Sequence, residues 1–573
     1  MKKNLLLFLC HLFYALAFAQ PQSWTWIGGD KTINQVSIHG TKGVTSSSNK
    51  MGGRSGMAVW KDISGNIWLF GGYGNDINGT SGYLNDLWKY NPSTNQWTWV
   101  NGDQLANRSG VYGTKGAAAP TNKPGGRTSA STWVDGNGDF WLFGGYAGYA
   151  GEEDGLQNDL WKYSPSTNQW TWIGGDNFTQ RRGVYGTKGT AAPTNKPGSR
   201  TGAASWVDGN GDFWLFGGNG FATGTLDGSL NDLWKYSPST NQWTWVNGDN
   251  VINQYGIYGT KGTAAPTNKP GSRGGASTWV DGNGDFWLFG GGGWSTPGGG
   301  NHLNDLWKYN PSSNLWIWIS GDNKGDQIGV YGTKGTAAPA NKPGGRSGAA
   351  GFIDAAGNFW LFGGDGYATY DGYASFLNDL WKYEPATSQW TWVSGESDTR
   401  TKVYGSYGTR GVASLTNKPG TRAGTANWLD DKGNFWMIGG SGYAESGFNG
   451  PLNDIWKYGT GATIFYRDRD KDGYGNSQMS VMADTIPNGY VAQGGDCNDL
   501  NAAAFPGAPE LCDGVDNDCN GVIDDGFTLT TFYRDRDKDG YGESQASVAA
   551  CSAPPGYVAQ GGDCNDLNAA AFP

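Results

Sequence analysis

A sixteen-residue phrase, NDLWKYNPSTNQWTWV at residues 85–100, returns along the chain with small changes and constrains the fold more than any other feature. Its first tryptophan recurs at spacings of 73, 73, 73, 74 and 75 residues, at Trp88, Trp161, Trp234, Trp307, Trp381 and Trp456. Self-similarity at a fixed period indicates one supersecondary unit used repeatedly. The sequence therefore predicts six equivalent units.

Each unit reads as four short strands. They are the segment after an arginine (RTSASTWVD from Arg127), then FWLFGG, NDLWKY and NQWTWV. The segment DGNG at 135–138 resembles a cation loop, but its place between two strands favours a hairpin turn. With 98 Gly and 30 Trp in 573 residues, the chain is too glycine-rich for a helical fold and too aromatic for disorder. We expect an all-β protein.

The first copy of the repeated phrase contains only its final part. SWTWIGGD, residues 23–30, has no NDLWKY before it, and the last copy, NDIWKYGTG at 453–461, has no QWTWV after it. An open array of sheets would leave unpaired strand edges that invite aggregation. We therefore predict that the N-terminal strand completes the sixth unit, with Trp24 and Trp26 paired to the strand around Trp456.

A double glycine closing the second strand, an aromatic third strand and a tryptophan on the fourth resemble Kelch repeats, which are the blades of β-propellers. The resemblance covers about residues 23–458 and implies a six-bladed Kelch-type β-propeller over residues 20–460, closed by the N-terminal strand. The Kelch family includes galactose oxidase, whose copper site uses histidines and a Cys–Tyr cross-link. The segment 20–460 contains no cysteine and only two histidines, His39 and His302, so that chemistry is disfavoured. We expect no enzymatic activity.

Residues in excess of a standard Kelch unit form repeated linkers, such as VYGTKGAAAPTNKPGGR from Val111, between a fourth strand and the next first strand. Up-and-down strands place these linkers on the same rim as the variable loops between strands two and three. Rigid scaffolds usually carry function in such loops. Rings beside carboxylates suit a sugar or another polar ligand, and the alternative is that these loops only cover the sheet ends. The candidate ligand-binding residues are Tyr146, Tyr149, Glu152, Trp294, Tyr370, Asp371 and Tyr373.

Residues present in all six copies are better explained as scaffold. Arg54 and its equivalents could line the channel mouth as an anion trap, but we expect each to pair with an aspartate of the LNDLW segment, such as Asp86. A competing functional class is a polysaccharide hydrolase or lyase that uses loop carboxylates such as Glu152, Glu153 and Asp371.

Composition changes at Gly461. From there on, 16 Asp and 2 Glu stand against 6 Lys and Arg residues, in a repeat of period 67 that divides into segments 461–527 and 528–573. The second segment stops before the part equivalent to GAPELCDGVDNDCNG, so the chain looks like a fragment. Three loops follow D-x-D-x-D/N-G, in which alternate oxygen ligands surround a hard cation and glycine permits the bend. The predicted calcium ligands are Asp468, Asp470, Asp472, Asp516, Asp518, Asn520, Asp535, Asp537 and Asp539.

These loops are not EF-hands, because position twelve is Met479, Phe527 or Ala546 instead of Glu. The tail resembles the metal-binding repeats of MopE-type surface proteins and thrombospondin type 3 repeats, which implies calcium-stiffened extracellular spacers. Copper binding, known in the MopE family, is disfavoured because the tail contains no histidine. The alternative is a solvated acidic linker.

Cysteine placement favours local disulfides, Cys512 with Cys519 and Cys551 with Cys564, which leaves Cys497 without a partner. Residues 1–19 have the layout of a secretory signal, and no later apolar run approaches the roughly 20 residues that span a bilayer. The propeller segment is close to neutral, which argues against nucleic acid as a partner. We expect a secreted or cell-surface protein that recognises a glycan or protein ligand; its oligomeric state is left open.

Overall fold

The computed structural model describes residues 23–148, 154–297, 301–370, 372–398, 400, 402–459, 463–483, 486–571 and 573, and the predicted signal segment 1–19 lies outside them. Contacts divide the described chain into two compact units at the boundary between Thr460 and Gly461. We name them the six-sheet unit, before the boundary, and the tail unit, after it. Among the described residues, no helix has the length and apolar character needed to cross a membrane.

Six four-stranded antiparallel sheets make up the six-sheet unit, and each has the second strand between the first and the third. The strands of sheets 1 to 3 are Ala58–Lys61, Ile67–Phe70, Leu87–Asn91 and Gln96–Asn101; Ser131–Val134, Phe140–Phe143, Leu160–Ser164 and Gln169–Gly174; and Ala204–Val207, Phe213–Phe221, Asp227–Ser237 and Gln242–Asn247. Those of sheets 4 to 6 are Ser277–Val280, Phe286–Gly293, His302–Asn310 and Leu315–Ser320; Ala350–Ile353, Phe359–Gly366, Ser375–Glu384 and Gln389–Ser394; and Ala426–Leu429, Phe435–Ile438, Ile455–Tyr458 and Trp24–Gly28.

Short strands extend these sheets. Each repeat has a two-residue strand that opens at its arginine and pairs with the segment after the double glycine. The two-residue strands are Arg54–Ser55, Arg127–Thr128, Arg200–Thr201, Arg273–Gly274, Arg346–Ser347 and Arg422–Ala423. In repeats 1, 2 and 6 the segment after the double glycine forms strands separate from the main sheet. They are Tyr73–Asn75 and Ser81–Tyr83, Tyr146–Ala147 and Gly155–Leu156, and Ser441–Tyr443 and Asn449–Pro451. Thr45–Ser46 pairs with the fourth strand of sheet 1.

The sixth sheet takes its fourth strand from the start of the chain. Trp24–Gly28 pairs antiparallel with Ile455–Tyr458, with Trp24 opposite Tyr458 and Trp26 opposite Trp456. Trp24 is 2% exposed, and its ring lies 5.1 Å from that of Phe362 in sheet 5. The first strand is therefore built into the core between sheets 5 and 6.

The apolar cores lie between sheets, because both faces of the second strand are buried, as in IWLF of sheet 1, FWLF of sheet 2 and FWMI of sheet 6. Five clusters join sheet 1 to 2, 2 to 3, 3 to 4, 4 to 5 and 5 to 6. A sixth joins sheet 6 to sheet 1 and includes Trp428 and Trp436 with Trp88 and Tyr90. Each sheet thus packs against two others.

A buried ion pair repeats in every sheet and confirms the scaffold interpretation of the arginines. Arg127 Nη1 and Nη2 donate to the two oxygens of Asp159 at 2.6 and 2.8 Å, and both side chains are at most 1% exposed. The equivalent pairs are Arg54–Asp86, Arg200–Asp232, Arg273–Asp305, Arg346–Asp379 and Arg422–Asp454. Two parallel hydrogen bonds in a dry interior fix the geometry of each repeat.

The DGNG segments are hairpin turns, as predicted. Asp135 Oδ1 accepts hydrogen bonds from the backbone N–H groups of Asn137 and Asp139, at 2.9 and 3.0 Å. Its second oxygen accepts from the indole of Trp141 at 2.8 Å. Both oxygens are satisfied inside the turn, so this carboxylate serves the hairpin.

The tail unit contains two four-stranded sheets of identical order. Their strands, in chain order, are Thr463–Arg467, Tyr474–Ala483, Tyr490–Val491 and Gln493–Asp496, then Thr530–Arg534, Gly542–Ala550, Tyr557–Val558 and Gly561–Asp563. In each sheet the last strand runs parallel to the second. This pairing brings the GDCND segment back towards the acidic loop that precedes the second strand.

Candidate functional sites

The two DRDKDG loops adopt the same conformation. Lys471 and Gly473 have φ values of 68° and 98°, and Lys538 and Gly540 have 65° and 96°. Glycine allows the second of these left-handed positions at no steric cost. In the first loop the carboxylates of Asp468, Asp470 and Asp472 converge, and in the second those of Asp535, Asp537 and Asp539 do so, with oxygens within 4.8 Å of one another.

A fourth acid joins each loop from the last strand of its sheet. Asp496 and Asp563, 7% and 8% exposed, end the parallel strands, and Oδ2 of each is buried with no hydrogen-bond partner among the described residues. Unpartnered carboxylate oxygens in a buried position are costly unless a cation meets them. Neither residue was predicted, although the repeated GGDCNDLN at a spacing of 67 residues was the signal for them.

A fifth acid anchors each loop. Asp499 Oδ1 accepts from the N–H of Arg469 at 2.8 Å, and Asp566 Oδ1 accepts from the N–H of Arg536 at 2.7 Å. Asp566 is 8% exposed, and its Oδ2 has no hydrogen-bond partner among the described residues, although Arg536 Nε lies 4.0 Å from it. Each GDCND segment thus supplies two carboxylates to its loop.

Electrostatic repulsion within these clusters shows in the pKa values. Burial, with the charges of Asp470, Asp468 and Asp499, raises the pKa of Asp472. Burial, followed by the charge of Asp472, raises the pKa of Asp496. The pKa of Asp537 in the second repeat is raised in the same way. Bringing these carboxylates together without a cation therefore costs folding free energy at neutral pH.

The third predicted loop, DNDCNG, has the same left-handed positions, at Cys519 and Gly521. Its convergent carboxylates belong to Asp518, Glu510 and Asp525, and Glu510 Oε2 is buried with no partner among the described residues. Asp516 accepts hydrogen bonds from the backbone N–H groups of Asn520 and Gly521. Glu510 and Asp525 were not predicted, because their spacing in sequence does not follow the loop pattern.

The disulfides differ from the predicted local pairs. Cys497 is bonded to Cys519 and Cys512 to Cys551, while Cys564 has no disulfide partner among the described residues. The Cys512–Cys519 and Cys551–Cys564 pairings are therefore wrong. The reason is chain reversal: the N–H of Phe505 donates to the carbonyl of Asn517 at 2.9 Å, which folds the third loop back onto GDCND.

The donor chemistry of the tail fits a hard divalent cation. Each cluster offers carboxylate oxygens, the sequence after Gly461 has no histidine, and Cys497 and Cys519 are consumed in a disulfide. Oxygen-only sets are typical of calcium and magnesium sites, whereas copper and zinc prefer imidazole or thiolate. The metal would be held by the loop aspartates together with Asp496 or Asp563.

On the six-sheet unit, the variable loops and the linkers contact each other. Asn107, in the linker after sheet 1, accepts a hydrogen bond from the N–H of Tyr83, in the loop between the second and third strands of that sheet. Tyr370 and Tyr373 lie together, with ring centroids 5.4 Å apart. Tyr146 in a loop of sheet 2 contacts Tyr83 in a loop of sheet 1. Trp294 in a loop of sheet 4 contacts Tyr255 in the linker between sheets 3 and 4. Tyr149, Glu152 and Asp371 lie outside the described residues.

A cavity of about 460 Å³ opens between the loops of sheets 5 and 6. Its lining includes Asp365, Tyr373, Arg400, Lys402 and Tyr443. Tyr373 is 53% exposed, and its hydroxyl donates to the carbonyl of Arg400 at 3.2 Å. Only Tyr373 of these residues was among the predicted ligand-binding residues. The signal for Arg400, Lys402 and Tyr443 was the lengthened spacing of 75 residues between Trp381 and Trp456.

Beside this cavity His302 lies between two carboxylates. Its Nε2 is 3.6 Å from Asp365 Oδ2, and its Nδ1 is 3.4 Å from Asp326 Oδ1. The hydrogen bond to Asp365, against the opposing effect of burial, raises the pKa of His302 above its ordinary value. Once protonated, His302 carries one positive charge between these two carboxylates.

Comparison with protein families matches this architecture. Kelch motif profiles match residues 63–100, in sheet 1, and 200–250, in sheet 3. The chain contains Kelch motifs. A MopE-type profile described as a "Putative metal-binding motif" matches residues 496–525 and 563–573, and these two segments begin at Asp496 and Asp563. The resemblances to Kelch repeats and to MopE-type repeats are thereby confirmed, and the resemblance to thrombospondin type 3 repeats stays a prediction. No curated protein matches the chain.

Proposed function

We propose that this chain is an exported recognition or adhesion protein, in which a six-bladed Kelch-type propeller binds a glycan or protein ligand and calcium-binding repeats form a spacer. The observation that carries the proposal is the contrast between the repeated core and the loops on one rim. The ion pairs and apolar clusters recur in every sheet, whereas the rim loops differ in length and in charge.

Two contacts of sheet 6 support the proposed closure of the propeller. Sheet 6 receives its fourth strand from Trp24–Gly28, and it shares an apolar cluster with sheet 1. The N–H of Gly56 in repeat 1 also donates to the carbonyl of Gly424 in repeat 6 at 2.9 Å. A closed ring covers both faces of every sheet and leaves only short strand edges, as expected for a stable extracellular scaffold.

Calcium is the cation that best fits the tail. Its usual coordination takes six to eight oxygens from flexible loops, and the first loop with Asp496 and Asp499 brings five carboxylates to one place. Magnesium demands a tighter octahedron and keeps more of its water. Disulfides in the tail suit an oxidising, extracellular compartment.

A binding screen tests the recognition function. The secreted protein, with calcium present, is applied to glycan and extracellular-protein arrays, and bound ligands are then incubated with it to detect turnover. We expect saturable binding without product formation. Chemical conversion of a bound polysaccharide would overturn the non-catalytic proposal, and no binding to either array would overturn the recognition role.

A further inference from the structure

The linker between sheets 5 and 6 departs from a pattern that three of the other linkers show. In those three, the third residue before the Gly-x-Tyr segment accepts a hydrogen bond from a backbone N–H in the neighbouring loop. The acceptors are Asn107, Asn253 and Asp326, bonded to Tyr83, Ser229 and His302 at 2.8, 2.9 and 2.8 Å. The linker between sheets 5 and 6 has Lys402 at this place and is two residues longer than its neighbour.

A lysine cannot accept that hydrogen bond, since its ammonium group is a donor only. Lys402 is exposed and lines the cavity. Its described contacts are with two rings, Phe448 at 5.0 Å and Tyr443 at 6.0 Å from Nζ. The departure from the pattern therefore places a cation among aromatic rings at the mouth of the cavity.

The other described charges at the cavity already have partners. Arg400 Nη2 is 2.5 Å from Asp398 Oδ2, and Asp365 Oδ2 is 3.6 Å from His302 Nε2. Lys402 forms no ion pair with a described residue, and its ammonium group can donate hydrogen bonds to a bound anion. Tyr373, half exposed, supplies an apolar ring face, and Asp365 can accept hydrogen bonds from hydroxyl groups.

We propose that this cavity binds a carboxylate-bearing pyranose, that is, a uronic acid residue of an acidic polysaccharide. The sugar ring stacks on Tyr373, its vicinal hydroxyls donate to Asp365, and its carboxylate meets Lys402. The inference rests on the proposed rim-binding function and names the ligand class for that rim. A volume of about 460 Å³ accommodates one or two sugar residues.

The test is binding of the full-length protein to uronic acid oligosaccharides and to neutral oligosaccharides of the same length, at low and high salt. The variants are Lys402→Gln and, as a matched control, Lys324→Gln, which removes one charge from the exposed linker between sheets 4 and 5. We expect acidic oligosaccharides to bind preferentially, and Lys402→Gln to weaken binding about tenfold through loss of a charge-assisted hydrogen bond. Lys324→Gln should bind as the parent does.

Two outcomes separate this inference from the function on which it rests. Binding of neutral glycans or of a protein, unchanged in Lys402→Gln, would overturn the uronic acid assignment and leave rim recognition standing. Absence of any glycan or protein binding would overturn both. Thermal unfolding of each variant, followed by tryptophan fluorescence, establishes that a loss of binding reflects the missing charge and not a misfolded rim.

Discussion

Calcium removal should destabilise the tail unit and leave the six-sheet unit unchanged. The structure brings together three carboxylate clusters, around Asp470, Asp537 and Asp518. If each binds one calcium, a free concentration one hundred times the dissociation constant stabilises the folded tail by about 2.7 kcal/mol per site. Chelation should therefore cost the tail up to about 8 kcal/mol, enough to unfold a unit of marginal stability.

The stability of the two units can be measured separately because their tryptophan content differs. All 30 tryptophans lie between Trp24 and Trp456, and the tail has none. Tryptophan fluorescence therefore reports unfolding of the six-sheet unit alone. Hydrogen exchange of peptides from residues 463–483 and 530–563 reports the tail, whose amides should lose protection on addition of chelator and regain it with excess calcium.

Either of two results would contradict selective stabilisation of the tail by calcium. Unchanged exchange of the tail peptides after chelation would mean that the carboxylate clusters hold no calcium that matters for folding. An equal shift of the fluorescence transition would mean that the ion acts on the six-sheet unit. Magnesium at the same concentration is the control for a general effect of ionic strength.

Three further predictions follow from single contacts. Asp496→Asn should weaken calcium binding at the first loop and leave the second loop intact, as isothermal titration would show by loss of one site; an unchanged stoichiometry and affinity would exclude Asp496 as a ligand. Without calcium, the tail should gain stability as the pH falls from about 7 to about 4.5, because carboxyls with raised folded-state pKa values are less costly once protonated; protection factors, corrected for the intrinsic exchange rate at each pH, that fall over this range would contradict it. His39→Tyr should stabilise the six-sheet unit by about 1 kcal/mol in urea denaturation, and a loss of stability would show that the histidine is required.

The basis for the last prediction is an exception within the repeat. Tyrosine hydroxyls donate to the buried aspartate in the other linkers, for example Tyr185 to Asp232 at 2.6 Å. In sheet 1, His39 Nε2 lies 3.2 Å from Asp86, while its buried Nδ1 has no partner among the described residues. Burial opposes ionisation of Asp86, but Arg54 and His39 hold its pKa well below the ordinary value. Tyrosine would keep the hydrogen bond and remove the unsatisfied nitrogen.

The repeated part of the fold could be predicted from the sequence because the strand alternation, the turn residues and the repeat spacing all indicate the same structure. Strand order follows from alternation and turn residues, and the missing QWTWV of the last repeat required a donor strand, which Trp24–Gly28 provides. The Arg127–Asp159 pair was predictable because a charged residue present in every repeat of a buried motif needs a partner of opposite charge.

The sites were less predictable, because they depend on contacts between segments distant in sequence. Asp496 reaches the DRDKDG loop only through parallel pairing of two strands. Cys512 meets Cys551 only when the two tail repeats pack together. The cavity beside Lys402 arises from a local insertion, and a sequence repeat specifies what recurs, not how an insertion folds.

The most direct test of the account is a disulfide between the first strand and the last sheet. Thr25 lies opposite Lys457 in the antiparallel pair, so Thr25→Cys with Lys457→Cys should form a cross-link under mild oxidation. The control is Thr25→Cys with Lys89→Cys, since Lys89 occupies the same place in sheet 1. Peptide mapping by mass spectrometry should find the cross-link in the first pair alone. A free thiol at position 25 in that pair, or a cross-link in the control, would contradict a propeller closed by its N-terminal strand.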